Sequence, residues 1–226
     1  MNYSTQPEGR LERTGKFGWW LARHEEKLAA AKAGGADLVF LGDSITQHWE
    51  KAGKPVWDTF YGARKTANYG FGGDSIQHVL WRLAHGELDG LRPKVCVLLI
   101  GTNNARHSES DPQDIASGVR AIIDRLAVTC PATKILLLAI LPRGATADDL
   151  WRRRTEAVNR LLPALADGHR VHFLNLNEKF LQPEGVLGKE IAPDLLHLST
   201  KGYQLWARRW SRSSKSCSAR TEGRPH

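Results

Sequence analysis

Long apolar runs are missing from this 226-residue chain: none approaches the ~20 consecutive apolar residues that a helix needs to cross a bilayer. The opening residues, MNYSTQPEGRLER, hold no apolar leader core, so no secretory signal is read and the chain as given is expected in the cytoplasm. Cysteine is scarce: three residues, an odd count, without the spacing of a metal site or a disulfide framework. Cys96 lies inside the apolar run 95–100 and reads as a small core residue, Cys130 stands beside Pro131 in a turn, and Cys217 falls near the end. A reducing compartment fits that usage. Internal repeats and interdomain linkers are absent too, and the length suits one well-buried α/β domain better than two. Negative charge is in deficit, with 24 Asp and Glu against 32 Lys and Arg, a formal +8. Part of the excess sits in Arg208, Arg209, Arg212, Lys215, Arg220 and Arg224, and Arg152-Arg153-Arg154 is a further run on an expected helix. Solvated faces and a basic tail account for this charge, so a nucleic-acid partner is not expected.

What the chain does contain is an alternation of apolar runs and helix-patterned segments. Strands are expected at 38–41, 65–69, 95–100, 134–140 and 171–174. Helices are expected at 19–33, 74–83 with Asp74 as cap, 111–128 opened by Asp111 and Pro112, 148–165 despite Pro163, and 199 to about 210 capped by Ser199. A loop with a short helix fills 52–63, and 182–193 reads as loop. Strands that are apolar on both faces and alternate with helices argue for a parallel sheet covered on both sides. The expected organisation is an irregular arm over 1–18, one domain over 19–210, and a basic, Ser/Arg-rich, disordered tail over 211–226.

Four short segments fall at carboxyl ends of expected strands or in the last loop: Gly42-Asp43-Ser44, Gly70–Gly73, Gly101–Asn104 and Asp194–His197. Loops following neighbouring parallel strands converge on one edge of the sheet, so the four can build a single site. Acyl transfer requires a nucleophile, a base, a group that orients the base, and donors aimed at the developing oxyanion. Ser44 supplies the hydroxyl, His197 the base and Asp194 the orienting carboxylate, while the Ser44 and Gly73 N–H groups and the Asn103 amide are the candidate oxyanion donors. Asp43 reads as a turn-stabiliser, and His48 and His107 are the other histidines nearest the site in sequence. Trp19, Trp20 and Trp49 are core candidates that could instead present a ring to a sugar.

Taken together, these segments resemble the GDSL or SGNH hydrolases over about residues 37–206. Asn68–Asp74, His78–Leu83, Gly101–Asn104 and Leu141–Gly144 are similar to the catalytic subunits of intracellular platelet-activating factor acetylhydrolases and their bacterial relatives. The resemblance implies a flavodoxin-like three-layer α/β/α sandwich on a five-stranded parallel sheet, and a chemistry that uses no metal or organic cofactor. It implies Ser44, Asp194 and His197 as catalytic residues and Ser44, Gly73 and Asn103 as the oxyanion hole. The expected activity is hydrolysis of short-chain esters, acetyl first, through an acyl-enzyme. The expected partner is a small ester substrate such as an acetylated sugar or a phospholipid, with lysophospholipase or thioesterase action as variants at the same site. Dimers among the relatives make a homodimer conceivable. A reading of another class is a non-catalytic flavodoxin-like module holding a phosphate or flavin at Gly70-x-Gly72-Gly73. That motif, however, follows the second strand and no P-loop Lys-Ser/Thr comes after it.

Overall fold

The computed structural model describes residues 3–12, 15–106 and 111–208. His107, Trp210, Cys217 and the tail 211–226 therefore lie outside the described residues. Five strands, β1 (Leu38–Gly42), β2 (Thr66–Gly70), β3 (Val95–Leu99), β4 (Lys134–Leu138) and β5 (Val171–Leu174), form one parallel sheet in the order β2-β1-β3-β4-β5. β1 lies in the centre with β2 and β3 on either side, so Gly42 is level with Gly70 on one side and Leu99 on the other. That register brings the carboxyl ends of β1, β2 and β3 to one edge.

Alternation along the strands divides the interior into two cores. Val39, Leu41, Cys96 and Leu98 join one buried cluster, and Phe40, Val97 and Leu99 join the other. Residues one apart on a strand point to opposite faces, so strands apolar throughout require cover on both. The first face is packed by α1 (Gly18–Ala33), α4 (Ile76–Ala84), α5 (Pro112–Thr129) and α6 (Leu150–Asn159), which contribute Ala31, Val79, Leu83, Val119, Ile122 and Val158. The second is packed by the short α2 (Ser44–Gln47) and α3 (Lys54–Phe60) and by a last helix, α7, over 200–208. Trp49, Tyr61, Tyr203 and Trp206 fill that side around Phe40. The result is the three-layer α/β/α arrangement.

Several boundaries differ from the sequence expectation for identifiable reasons. Asp74 does not cap α4; Ser75 does, closing a capping box with His78, because Asp74 is turned inward toward Trp20 and Arg82. The helix expected from 148 begins at Leu150, with Asp149 as its cap accepting from Trp151 N and Arg152 N. The helix expected to 165 stops at Asn159, and Leu162–Leu165 continues as 3-10 structure. Pro163 lacks an N–H and its ring would strike the carbonyl at 159, so the α-helix cannot run through it. Arg152 is wholly buried rather than solvated, donating to the carbonyls of Arg143, Gly144 and Gly185. The N-terminal arm makes a 3-10 turn at Tyr3–Thr5 and buries Ser4 against Gly118 of α5, and Glu8 N donates to Gln77 O of α4. Cys96 and Cys130 are both buried free thiols. No helix among the described residues is long and apolar enough to cross a membrane.

Candidate active site

The turn after β1 is set by close packing. A Cβ on Gly42 would collide with Leu99 O and the Thr46 hydroxyl, so only glycine lets the chain leave the sheet here. Asp43 then caps α2, its carboxylate accepting from Ile45 N at 2.9 Å, and Ser44 becomes the first helical residue. Tyr203 of α7 donates to Ile45 O at 2.5 Å, which fastens this turn to the helical layer below.

Ser44 Oγ lies 2.8 Å from His197 Nε2, and His197 Nδ1 lies 2.6 Å from Asp194 Oδ2. Residues 153 apart in sequence are thus joined into one hydrogen-bonded chain. The Asp194 loop holds itself together: Asp194 Oδ1 accepts from His197 N at 2.7 Å and Leu196 N at 3.1 Å. Leu195 between them is forced to φ +60°, a costly conformation for a branched side chain. Its N–H donates to Ala192 O and its carbonyl accepts from Gly144 N, so the strain is held from both sides. Partial burial opposes ionisation of Asp194, but the bonds from the His197 ring and from the His197 and Leu196 N–H groups outweigh it and keep the carboxyl below its ordinary range.

The glycine segment follows β2, whose last residue Gly70 is level with Gly42, and Gly72 N donates to Gln47 Oε1 of α2 at 2.8 Å. Phe71–Asp74 forms a hydrogen-bonded turn, Asp74 N to Phe71 O, with Gly73 at φ +72° in its third position. Positive φ at that position alone is the pattern of a type II turn. Behind it lies a buried ionic network: Asp74 accepts from Trp20 Nε1 at 2.6 Å and Arg82 Nε at 2.9 Å, and Arg82 also pairs with Glu87. Asn103 donates one amide N–H to Asp74 O at 2.7 Å, which draws the loop after β3 onto the turn and leaves its second N–H for another acceptor. Among the described residues no acceptor takes the Ser44 or Gly73 N–H. Asn104 is employed elsewhere: its Oδ1 accepts from Ile76 N at 3.0 Å, and its amide donates to Gln77 and Ser4.

Burial raises the two carboxyls beside the turn, Asp43 to about 7 and Asp74 to about 6, although Ile45 N–H and Arg82 respectively work against it. His48, one helical turn after Ser44, lies against the His197 ring with centroids 4.7 Å apart. Burial, reinforced by His197, pushes its pKa down to about 4, so a neutral ring backs the imidazole. Its position four residues after Ser44 was the available signal for this contact. Of the tryptophans considered for sugar stacking, Trp20 and Trp49 are fully buried in the core, whereas Trp19 is 41% exposed and borders Gly72. No group of three or more His, Cys, Asp or Glu side chains among the described residues could hold a metal ion.

Comparison with known proteins adds the family. The model of the GDSL-like lipase/acylhydrolase family matches residues 40–205. Platelet-activating factor acetylhydrolase IB subunit alpha1 of Bos taurus is 36% identical over 187 residues, covering 82% of this chain and 78% of its own. The chain belongs to the GDSL-like lipase/acylhydrolase family. Two solved structures share the fold at lower identity. A GDSL-like lipase from Bacteroides thetaiotaomicron (TM-score 0.67, 18% identity) covers 87% of this chain and 97% of its own. The acetylxylan esterase Axe2 from Geobacillus stearothermophilus (TM-score 0.60, 17% identity) covers 79% and 94%. Like its relatives, this GDSL protein is a carboxylic ester hydrolase, which replaces the reading of a phosphate- or flavin-holding module.

Proposed function

We propose that the protein cleaves short acyl groups, acetyl foremost, from oxygen esters through an acyl-enzyme on Ser44. The observation that carries this is the continuous chain Ser44 Oγ, His197 Nε2, His197 Nδ1, Asp194 Oδ2, with links of 2.8 and 2.6 Å. Ser44 Oγ attacks the ester carbonyl carbon while its proton passes to His197 Nε2. Negative charge moves to the former carbonyl oxygen, where the Ser44 and Gly73 N–H groups and the second Asn103 N–H are the donors at hand. Collapse breaks the bond to the alcohol oxygen, which takes the proton from His197. Water then repeats the sequence on the acyl-serine, releasing the acid. Asp194 holds the ring upright and balances the imidazolium as it forms.

The sequence has no insertion of lid size, and a cleft without one buries few acyl methylenes, each of which would add about 0.8 kcal/mol. The names of the relatives, an acetylhydrolase subunit and an acetylxylan esterase, agree with acetyl as the group removed. The half-exposed Trp19 beside Gly72 favours a flat sugar as the alcohol portion. The test is turnover of aryl esters from acetyl through butyryl to octanoyl, beside Ser44→Ala. kcat/KM falls along the series, and Ser44→Ala lowers kcat on the order of 10⁶-fold while the fold persists. Near-normal activity in Ser44→Ala refutes the mechanism, and a maximum at the longest chain refutes the acyl preference.

A further inference from the structure

The arm contributes a side chain to the glycine turn that neither the mechanism nor the family comparison employs. Arg10 donates through Nη2 to Gly73 O at 2.8 Å and through Nη1 to Gly72 O at 3.3 Å. Its guanidinium is stacked on the Phe17 ring, 4.3 Å from the centroid, and covers the Cα of Gly73, where a Cβ would stand 3.3 Å from Nη1. The arm is placed for this by Glu8 N on Gln77 O and by Gly9, whose missing side chain admits the Trp81 ring.

The Gly72 carbonyl and the Gly73 N–H are opposite ends of one peptide plane, the central peptide of the Phe71–Asp74 turn. Type I and type II turns differ in ψ of the second residue and φ of the third, so they interconvert by flipping that plane. With glycine at both positions the flip meets no Cβ, and it would reverse the direction in which the Gly73 N–H points. The plane before it is pinned by Gly72 N to Gln47 Oε1 at 2.8 Å. Among the described residues, Arg10 is the side chain that grips the central peptide itself.

The geometry points to Arg10 as a positioning residue that locks the Gly72–Gly73 peptide with its N–H turned toward the oxyanion. A cation on the carbonyl end also polarises the plane, making the N–H a stronger donor as charge develops. This rests on the acyl-transfer reading above, and the two fail separately. The experiment measures kcat, KM and thermal midpoint with phenyl acetate for Arg10→Met and Arg10→Lys beside Ser44→Ala. Methionine preserves the length and the contact with Phe17 but has no donors. Because Arg10 acts through an oxyanion donor, the expected loss in kcat for Arg10→Met is about tenfold, below the ~10²–10³ for removing a donor outright, with KM and midpoint near wild type. Arg10→Lys recovers part of it, since an ammonium can hold one carbonyl but not span two. An inactive Ser44→Ala with wild-type kcat in Arg10→Met overturns the inference while leaving the serine mechanism standing. A raised KM at unchanged kcat overturns it as well, making Arg10 a substrate anchor. So does a loss of kcat that follows the thermal midpoint and is not restored by lysine. Full activity in Ser44→Ala sinks both readings together.

Discussion

The two sides of the site are built in opposite ways. On the glycine side, Asp74, Arg82 and Glu87 are completely shielded from solvent, and the turn is braced from beneath. On the histidine side, Asp194 keeps 57% of its side-chain exposure, and its loop is held by its own backbone N–H groups around the strained Leu195. A buried ion network costs desolvation and commits the fold, because removing one member strands the others. An exposed carboxylate costs little to hold and can be altered with little effect on folding. The glycine side should therefore report on stability and the histidine side on rate.

The largest separation is expected at Asp194. In Asp194→Asn the amide oxygen can still accept from the Leu196 and His197 N–H groups, so the loop survives, but the ring loses its anionic partner. kcat falls ~10⁴-fold with little change in KM or thermal midpoint. A midpoint drop as large as the one described next would abolish the contrast between the two sides.

Arg82→Met tests the other side. It leaves Asp74 and Glu87 buried without their cation, costing about 3–5 kcal/mol, which for a chain of this length lowers the midpoint on the order of 10 °C. Thermal unfolding followed by circular dichroism measures it. An unchanged midpoint would mean that the buried carboxyls simply take up protons, and that the network is not what braces the turn.

Asn103 and Asn104 bring the comparison down to neighbours. Asn103→Ala should lower kcat by ~10²–10³ at nearly constant KM, through the loss of an oxyanion donor. Asn104→Ala strands Ile76 N and should act on stability, by about 1–3 kcal/mol, with kcat of the folded enzyme almost unchanged. Measuring kcat and midpoint for the pair side by side decides the matter, and equal kinetic losses at both positions would take Asn103 out of the site.

How far this was legible in the sequence follows the same division. The strands could be read because a parallel strand buried on both faces is apolar throughout, and the loops after β1, β2 and β3 are then obliged to meet. Asp194 and His197 could be read because their spacing is local. The glycine side could not, since its bracing comes from contacts across the chain. Asp74 reads as a helix cap until Trp20 and Arg82 turn out to surround it. Arg152 reads as part of a solvated run until its three carbonyl partners appear. Arg10, in an arm whose composition suggests irregular chain, reaches residues more than sixty positions away. Charge in a sequence pattern marks a surface by default, and only the tertiary structure shows which charges are enclosed.

The smallest effect concerns Asp43, and it contrasts the two sides by sign. Burial raises its carboxyl from 3.8 to about 7, with Asp74 adding to the rise and Ile45 N–H and Arg143 opposing it. The folded state thus holds the proton more firmly than the unfolded chain. The stabilisation linked to Asp43 is fully present below the unfolded value and is lost as pH climbs through about 7. For Asp194, whose pKa is lowered, the stabilisation is present above the unfolded value and is lost as pH falls. Asp43→Asn keeps an oxygen for Ile45 N but removes the charge. Its thermal midpoint should match wild type only below the unfolded value of 3.8 and exceed it by a few degrees above about 7, the gap opening between those two values. At the exposed Asp194 the Asn variant should show only a slight gap of the opposite sign, far below the drop expected for Arg82→Met, present at neutral pH and closing in acid. Scanning calorimetry of both variants and the wild type across that pH range measures the two gaps. A pH-independent gap at Asp43 would mean that its effect comes from packing, and that the serine side carries no buried charge to relieve.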